Sequence, residues 1–217
     1  MNPVMKYYPT PVLTNAAEKI LGPWTPRRHV PEGLNSLRPD AKAVGEAYTI
    51  RLRRSMTRSR ANAARVLAAY DAAPPNCIVV VQLVDDVGGA LLGDIIAHRL
   101  HKIGVSGVVV AGPVRDLEGL EDQGPALWYR EAVTTGLETA ETETEVQVAL
   151  DIGSVTIAPG DIVVADRDGV FAIPRRHAEE FVRTAETIVE REISIHQSIE
   201  ENKKLFEIFD LTDAINS

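Results

Sequence analysis

The feature that most constrains the fold of this chain is a glycine turn, a helix and a short apolar strand in succession, within residues 88–118. The glycine pair at 88–89 precedes apolar residues that recur at helical spacing. After a break at Gly104, the β-branched run 105–110 is typical of a strand buried on both faces. This succession predicts an α/β fold with a central sheet flanked by helices.

Charged residues follow the predicted strand. Gly112 and Pro113 predict a turn, and Arg115 and Asp116 come directly after it. Because open α/β sheets bind ligands beyond the carboxyl ends of their strands, we expect both side chains to face a crevice there. The N-terminus of the preceding helix should share this crevice, and its free N–H groups suit a carboxylate. The alternative interpretation is an ordinary surface ion pair.

The charged pair suits a 2-oxo acid and a metal ion. Arg115 offers a planar fork of donors to a carboxylate or to an enolate oxygen. Asp116 suits a hard divalent cation, which a 2-oxo acid can chelate through its carboxylate and keto oxygens. A Schiff-base aldolase needs a lysine desolvated in a pocket, and no lysine lies within an apolar strand of this sequence. The residues therefore favour metal chemistry.

Five segments of the chain resemble the RraA-like family, which includes the 4-hydroxy-4-methyl-2-oxoglutarate aldolases. They occur in chain order at 37–49, 89–94, 107–110, 112–116 and 159–170. The resemblance implies a swivelling β/β/α-like domain with a long C-terminal helix. It also implies a divalent-metal-dependent pyruvate aldolase that cleaves a 4-hydroxy-2-oxo acid of the 4-hydroxy-4-methyl-2-oxoglutarate type through a pyruvate enolate, with oxaloacetate decarboxylation as a side activity. A different branch of the family implies the alternative, a non-enzymatic protein inhibitor of ribonuclease E.

The resemblance also implies roles for individual residues. Arg115 would contact the substrate and steady the enolate, and Asp116 would bind Mg²⁺ or Mn²⁺. The substrate carboxylate would lie against the backbone of four residues, Gly93, Asp94, Ile95 and Ile96. Gly119 departs from the aldolase pattern, which usually has an acidic residue there, although Glu118 and Glu121 flank it. The usual acidic residue would contact water bound to the metal, and Glu118 or Glu121 could hold that water instead.

Two further parts of the chain bear on the substrate and on assembly. Tyr129 and Arg130 could contact a distal carboxylate, and packing is the alternative for Tyr129. A long helix from 176 to about 206 carries enough apolar surface to predict a subunit interface. The resemblance implies a homotrimer or homohexamer in which a glutamate of a neighbouring C-terminal helix enters the active site. Glu192 is the catalytic candidate and Glu190 the second, and solvent exposure is the alternative for both.

The same patterns divide the chain into three parts. They are an N-terminal arm, short helix and loop (1–36), an α/β catalytic core (37–175) and the C-terminal helix (176–217). The further predicted elements are an extended arm at 1–12, helices at 12–21 and 59–72, strands at 43–53 and 77–83, and a hairpin over 162–173.

Composition excludes several classes of protein. The net charge of −8 argues against a nucleic-acid surface, and we interpret the arginine run at 51–60 as a solvated face or a subunit contact. The single cysteine, Cys77, allows no internal disulfide and favours a reducing cytoplasm. No apolar run is long enough to span a membrane. We therefore expect a cytoplasmic protein that binds a small 2-oxo acid, without nucleic-acid or membrane partners.

Overall fold

The computed structural model describes residues 6–22, 29–85 and 88–211. The extended arm predicted for residues 1–12 lies partly outside the described residues, and its last part is wrong, because a helix already begins at Thr10. The chain forms a mixed α/β structure around a curled eight-stranded sheet, so the predicted fold class is confirmed. The strands are β1 (Asn35–Ser36), β2 (Ala43–Arg54), β3 (Ile78–Leu83), β4 (Gly107–Val114), β5 (Ala126–Ala132), β6 (Thr142–Val146), β7 (Leu150–Ile152), β8 (Val155–Ile157), β9 (Ile162–Ala165) and β10 (Val170–Ile173). The α-helices are α1 (Thr10–Leu21), α2 (Arg60–Asp71), α3 (Asp94–Ile103), α4 (Leu117–Gln123), α5 (Ala178–Glu200) and α6 (Leu205–Ile208).

The centre of the sheet consists of four parallel strands in the order β2, β3, β4 and β5. On its other side, the long β2 pairs antiparallel with two strands, with β9 near its start and with β6 near its end. β1 and β10 extend the two edges of the sheet, whereas β7 and β8 form a separate two-stranded sheet. Because β3 and β4 are parallel, the segments that follow them meet at one edge of the sheet.

Both faces of the central strands are covered. Val79 and Val81 of β3 pack toward α2 and α3, whereas Ile78 and Val80 pack toward the β7–β8 hairpin. This double burial explains why β3 reads as a continuous apolar run and not as an alternating one. Each such side chain stabilises the fold by about 1.5–3 kcal/mol relative to an exposed one. In addition to the buried apolar clusters on the two faces of β3, a third apolar cluster joins α1 and α5 to β9 and β10.

The predicted boundaries of α2 are confirmed to within one residue, because local signals fix both ends. The hydroxyl of Ser59 accepts a hydrogen bond from Asn62 N, which satisfies one free donor of the first turn. The helix ends before Pro74, as a proline disfavours helical backbone at the residue that precedes it. Cys77, which immediately precedes β3, is buried as predicted.

Two predicted boundaries are wrong. β4 does not turn at Gly112 and Pro113 but continues to Val114 through a shift in its register with β5. A bulge of this kind accommodates proline in a strand. The C-terminal helix stops at Glu200 and not near residue 206, because Asn202 has left-handed backbone, with φ 59°.

The arginine run on β2 forms an ion-pair ladder with β6. Arg51 and Arg53 both contact Glu145, with nitrogen–oxygen distances of 3.4 and 3.0 Å. Two arginines of the run are thus paired with a carboxylate of the same chain, and their side chains are 21% and 42% exposed. Among the described residues, no helix combines the length and the apolar character needed to cross a bilayer.

Candidate active site

The segment between β3 and α3 is hydrogen-bonded to the end of β4. The amide of Leu91 donates to the carbonyl of Pro113 at 2.8 Å, and the amide of Arg115 donates to the carbonyl of Leu92 at 3.0 Å. Pro113 lacks an N–H group, but its carbonyl is still used in this pairing. These bonds place Arg115 beside the N-terminus of α3, as the sequence predicted.

A cleft of about 270 Å³ opens at this edge of the sheet. It lies between α2, the start of α3 and residues 136–139. The backbone segment predicted to hold a substrate carboxylate, Gly93 to Ile96, and the side chain of Arg115 all belong to its lining. The structure therefore brings these predicted site residues together.

Arg115, which lines the cleft, forms an ion pair with Asp116, which was expected to face the crevice as well but is not one of the lining residues. Nε of Arg115 lies 3.1 Å from Oδ2 of Asp116, and the two side chains are 41% and 39% exposed. An ion pair this exposed stabilises a fold by at most about 1 kcal/mol. Asp116 also adopts left-handed backbone, with φ 61° and ψ 44°, which costs a non-glycine residue on the order of 1 kcal/mol. Stability alone does not explain this arrangement, and backbone strain of this kind clusters at functional sites.

Two glycines let the backbone approach the ion pair closely. A Cβ on Gly93 would lie 2.7 Å from Asp116 Oδ2 and 3.3 Å from Arg115 Nε. A Cβ on Gly136 would lie 2.7 Å from Arg115 Nη1. Any larger residue at either position would displace the charged groups. Gly136 was not identified as a site residue from the sequence. The one signal that the sequence offered was that Gly136 is an isolated glycine in the polar segment after β5.

The space beside Gly119 is occupied by Asp94. A Cβ on Gly119 would lie 2.8 Å from the Cβ of Asp94 and 3.3 Å from its Oδ2. An acidic side chain at position 119 would therefore require Asp94 to move. The carboxylate of Asp94 also accepts a hydrogen bond from the amide of Ile95 at 2.8 Å. The sequence predicted a role only for the backbone of Asp94. In the structure, its side-chain carboxylate also lies at the site, in the space beside Gly119.

The start of α3 adds positive charge to the same place. Helix geometry leaves the amides of Asp94, Ile95 and Ile96 without acceptors within the helix, and the helix N-terminus carries roughly half a positive charge. Of these amides, that of Ile95 donates to Asp94 Oδ1. Because Arg115 Nε lies next to Gly93, the guanidinium and the helix N-terminus can act on one bound anion.

Glu192, the catalytic candidate from the C-terminal helix, lies elsewhere in the single chain. It lines a separate pocket of about 620 Å³ between α1 and α5, together with Lys19, Arg191 and His196. Glu190 is exposed on the same helix. A role for Glu192 at the Arg115 cleft would require a second copy of the chain, so that role stays a prediction.

The carboxylates at the cleft suit a hydrated divalent ion. In the part of the chain that the structure describes, no three His, Cys, Asp or Glu side chains are grouped to hold a metal. Asp116 Oδ2 lies against Gly93, and Asp94 directly follows Gly93 in the chain. Mg²⁺ is commonly held by one or two carboxylates, with water and substrate oxygens completing its octahedron. The carboxylate of Asp116 fits the one-carboxylate form of that binding.

Comparison with known proteins adds three findings. A sequence profile of the RraA-like family, described as Aldolase/RraA, matches residues 11–172. A Halalkalibacterium halodurans protein, named as a candidate 4-hydroxy-4-methyl-2-oxoglutarate aldolase, is 28% identical over 152 residues, 70% of this chain and 69% of that protein. Protein DlpA of Legionella pneumophila is 30% identical over 155 residues, 69% of this chain but 25% of DlpA. The match thus spans only about a quarter of that relative's length.

A solved structure supports the same kinship. Streptomyces coelicolor RraAS2, described as an unusual member of the RNase ES inhibitor RraA protein family, is 26% identical and superposes with a TM-score of 0.71. The superposition covers 84% of this chain and 90% of that one. The fold is therefore shared with a known protein.

Proposed function

The chain belongs to the RraA-like family, and on that premise we propose that it is a divalent-metal-dependent pyruvate aldolase that cleaves a 4-hydroxy-2-oxo acid. The observation that carries this proposal is the Arg115–Asp116 pair, held beside the N-terminus of α3 at an open cleft. The aldolase name of the Halalkalibacterium halodurans relative supports the same reaction class.

The residues of the cleft have complementary tasks in such a cleavage. The amides at the start of α3 and the guanidinium of Arg115 bind the carboxylate of the pyruvate half. When the bond between C3 and C4 breaks, its electron pair is left on the pyruvate enolate, and Arg115 stabilises that negative charge. The C4 hydroxyl loses its proton and C3 gains one, so the products are pyruvate and a carbonyl compound.

Asp116 is the residue that would hold the cation, Mg²⁺ or Mn²⁺. Bound there, the cation would supply Lewis-acid polarisation of the 2-oxo group of the substrate. Asp116 is suited to this task because its carboxylate is 39% exposed and is held in place by Arg115 Nε. Oxaloacetate decarboxylation also passes through pyruvate enolate, so the same groups serve that side activity.

The assembly and location of the protein follow from the resemblance. We propose a cytoplasmic homotrimer or homohexamer in which Glu192 of one copy enters the cleft of another. Cross-linking between subunits through cysteines placed at positions 115 and 192, in a Cys77→Ala background, would test this arrangement. Absence of a cross-link between subunits would contradict this arrangement.

The proposed reaction is tested by pyruvate release. Purified protein is stripped with EDTA, assayed with a panel of 4-hydroxy-2-oxo acids and oxaloacetate, and assayed again after Mg²⁺ or Mn²⁺ is restored. We expect pyruvate release that EDTA abolishes and the cation restores, above a blank without protein. Absence of metal-dependent release from every substrate would contradict the proposal.

The similarity to RraAS2 supports a second candidate, inhibition of a ribonuclease of the RNase E type. Inhibition requires a complementary protein surface and does not require a metal. Binding to the ribonuclease, together with absence of metal-dependent pyruvate release, would favour this second function over the first.

A further inference from the structure

A buried tyrosine of α2 is hydrogen-bonded to the segment that leads into α3. Tyr70 is only 2% exposed and belongs to the apolar cluster between the helices and the sheet. Its hydroxyl donates to the carbonyl of Leu91 at 2.7 Å. Burial raises the pKa of Tyr70, so the hydroxyl keeps its proton and remains a donor. The bond therefore fixes the backbone at Leu91 relative to α2.

The carbonyl of Leu91 depends on this hydroxyl. Among residues 6–22, 29–85 and 88–211, no backbone amide donates to it. Leu91 is itself buried, with 1% of its surface exposed. A buried carbonyl that loses its donor is left unsatisfied, which is unfavourable. Without the Tyr70 hydroxyl, the backbone at Leu91 would therefore tend to move toward another donor.

Both sides of the anion site are attached to this short stretch of backbone. The amide of Leu91 donates to the carbonyl of Pro113, and the carbonyl of Leu92 accepts from the amide of Arg115. Gly93, the next residue, is the N-cap of α3, whose first amides would bind the substrate carboxylate. A movement at Leu91 would therefore displace the helix amides and the backbone of Arg115 together.

We infer that Tyr70 is a positioning residue for the carboxylate of the pyruvate half of the substrate. Its hydroxyl fixes Leu91, and through Leu91 it sets the place of the α3 amides and of Arg115. This inference rests on the proposed function. Tyr70 does not line the cleft, so it acts through these groups and not on the substrate. Because the contact is buried within one chain, it does not depend on whether a second copy completes the cleft.

A second tyrosine of the same apolar cluster offers a matched control. Tyr48 is 6% exposed, and its hydroxyl donates to the carbonyl of Ala69, in the last turn of α2, at 3.0 Å. Neither Tyr48 nor Ala69 lines the cleft. Tyr70→Phe and Tyr48→Phe each remove one oxygen, keep the ring and break one buried bond from a hydroxyl to a carbonyl. We therefore expect both variants to fold and to have similarly lowered Tm values.

Pyruvate release distinguishes positioning from a purely structural role. The two variants and the unmodified protein are loaded with Mg²⁺ and assayed below the lowest of the three Tm values, with a substrate that the unmodified protein cleaves. We expect kcat/KM to fall at least about tenfold in Tyr70→Phe and to stay unchanged in Tyr48→Phe, because displaced binding groups are costly even when the substitution lies away from the reacting atoms. Most of the loss should appear as a higher KM, since the α3 amides bind the carboxylate before and during the reaction.

Amide hydrogen exchange tests the same inference without catalysis. We expect the amides of Leu91 and Arg115 to exchange faster in Tyr70→Phe than in the unmodified protein, and at an unchanged rate in Tyr48→Phe, because only the first substitution loosens their local structure. Equal kcat/KM in the two variants, a loss confined to kcat, or unchanged exchange in Tyr70→Phe would overturn the inference and leave the proposed function standing. Absence of pyruvate release by the unmodified protein would overturn the proposed function, and the inference with it.

Discussion

The carboxylate of Asp116 lies against the backbone of Gly93, so closely that a Cβ at position 93 would stand 2.7 Å from Oδ2. Gly93 ends the segment that follows β3, and Asp116 follows β4. Parallel pairing of the two strands brings these positions together at one edge of the sheet. The contact therefore joins the predicted metal-binding side chain to the helix N-terminus that would hold the substrate.

The substitution Gly93→Ala should impair the site while preserving the fold. The added methyl group would displace the Asp116 carboxylate and the Arg115 guanidinium, both of which are ends of flexible side chains. We expect kcat/KM for pyruvate release to fall at least about tenfold, because small misplacements of reacting groups are costly. Thermal unfolding, measured in parallel, should give a nearly unchanged Tm. Wild-type activity in this variant would show that the close approach has no functional role.

Arg115→Lys tests whether the planar fork of the guanidinium matters. A lysine keeps the positive charge but cannot donate two parallel hydrogen bonds to a carboxylate or enolate. We expect a loss of about 10²-fold in kcat/KM, the size found when one preorganised donor is removed from an anion site. The control is Arg99→Lys, because Arg99 pairs with Asp71 on the exposed surface and does not line the cleft. Equal activity of the two variants would argue against the assignment.

His29 should make stability depend on pH. Its Nδ1–H donates to the carbonyl of Ala172 at 2.8 Å, and its ring stacks on Phe171 with centroids 5.4 Å apart. Burial lowers the pKa of His29 below its ordinary value of about 6.5. As the pH falls below about 6.5, the ordinary pKa of histidine, His29 takes up a proton in the unfolded chain but not in the folded chain. The free energy of unfolding therefore decreases.

His29→Gln should remove this contribution, since glutamine does not titrate. We expect the free energy of unfolding, measured by urea denaturation, to decline less steeply between pH 7 and 5 in the variant than in the unmodified protein. The comparison between the two proteins cancels the titration of the other groups. Identical slopes would mean that His29 has the same pKa in the folded and unfolded chains.

The elements that sequence reasoning placed well are those with local signals at both ends. Ser59 and Pro74 mark the two ends of α2, and the β-branched run after Gly104 predicts β4. The continuation of β4 through Pro113 was not predictable, because it depends on pairing with β5 and on a hydrogen bond from Leu91. Local turn chemistry at Gly112 and Pro113 was overridden by these tertiary partners.

The site was predictable where its residues adjoin a recognisable strand or helix. Arg115 and Asp116 stood out because they follow a buried strand, and Gly93 because it precedes a helix. Gly136 did not, because it lies in an irregular segment after β5 and no periodic pattern relates it to Arg115. Glu192 could be placed on a helix, but its distance from the cleft depends on how α5 packs against α1 and β10, which periodicity does not report.

The most direct test of the proposed aldolase is metal-dependent pyruvate release by Asp116→Asn beside the unmodified protein. Asparagine is among the residues that best tolerate the left-handed backbone of position 116, so the fold should persist and Tm should be unchanged. We predict that release in the presence of Mg²⁺ or Mn²⁺ falls at least about 10³-fold, because the cation contributes several kcal/mol of charge stabilisation. Metal-dependent release at the wild-type rate in this variant would contradict the assignment of Asp116 and the mechanism built on it.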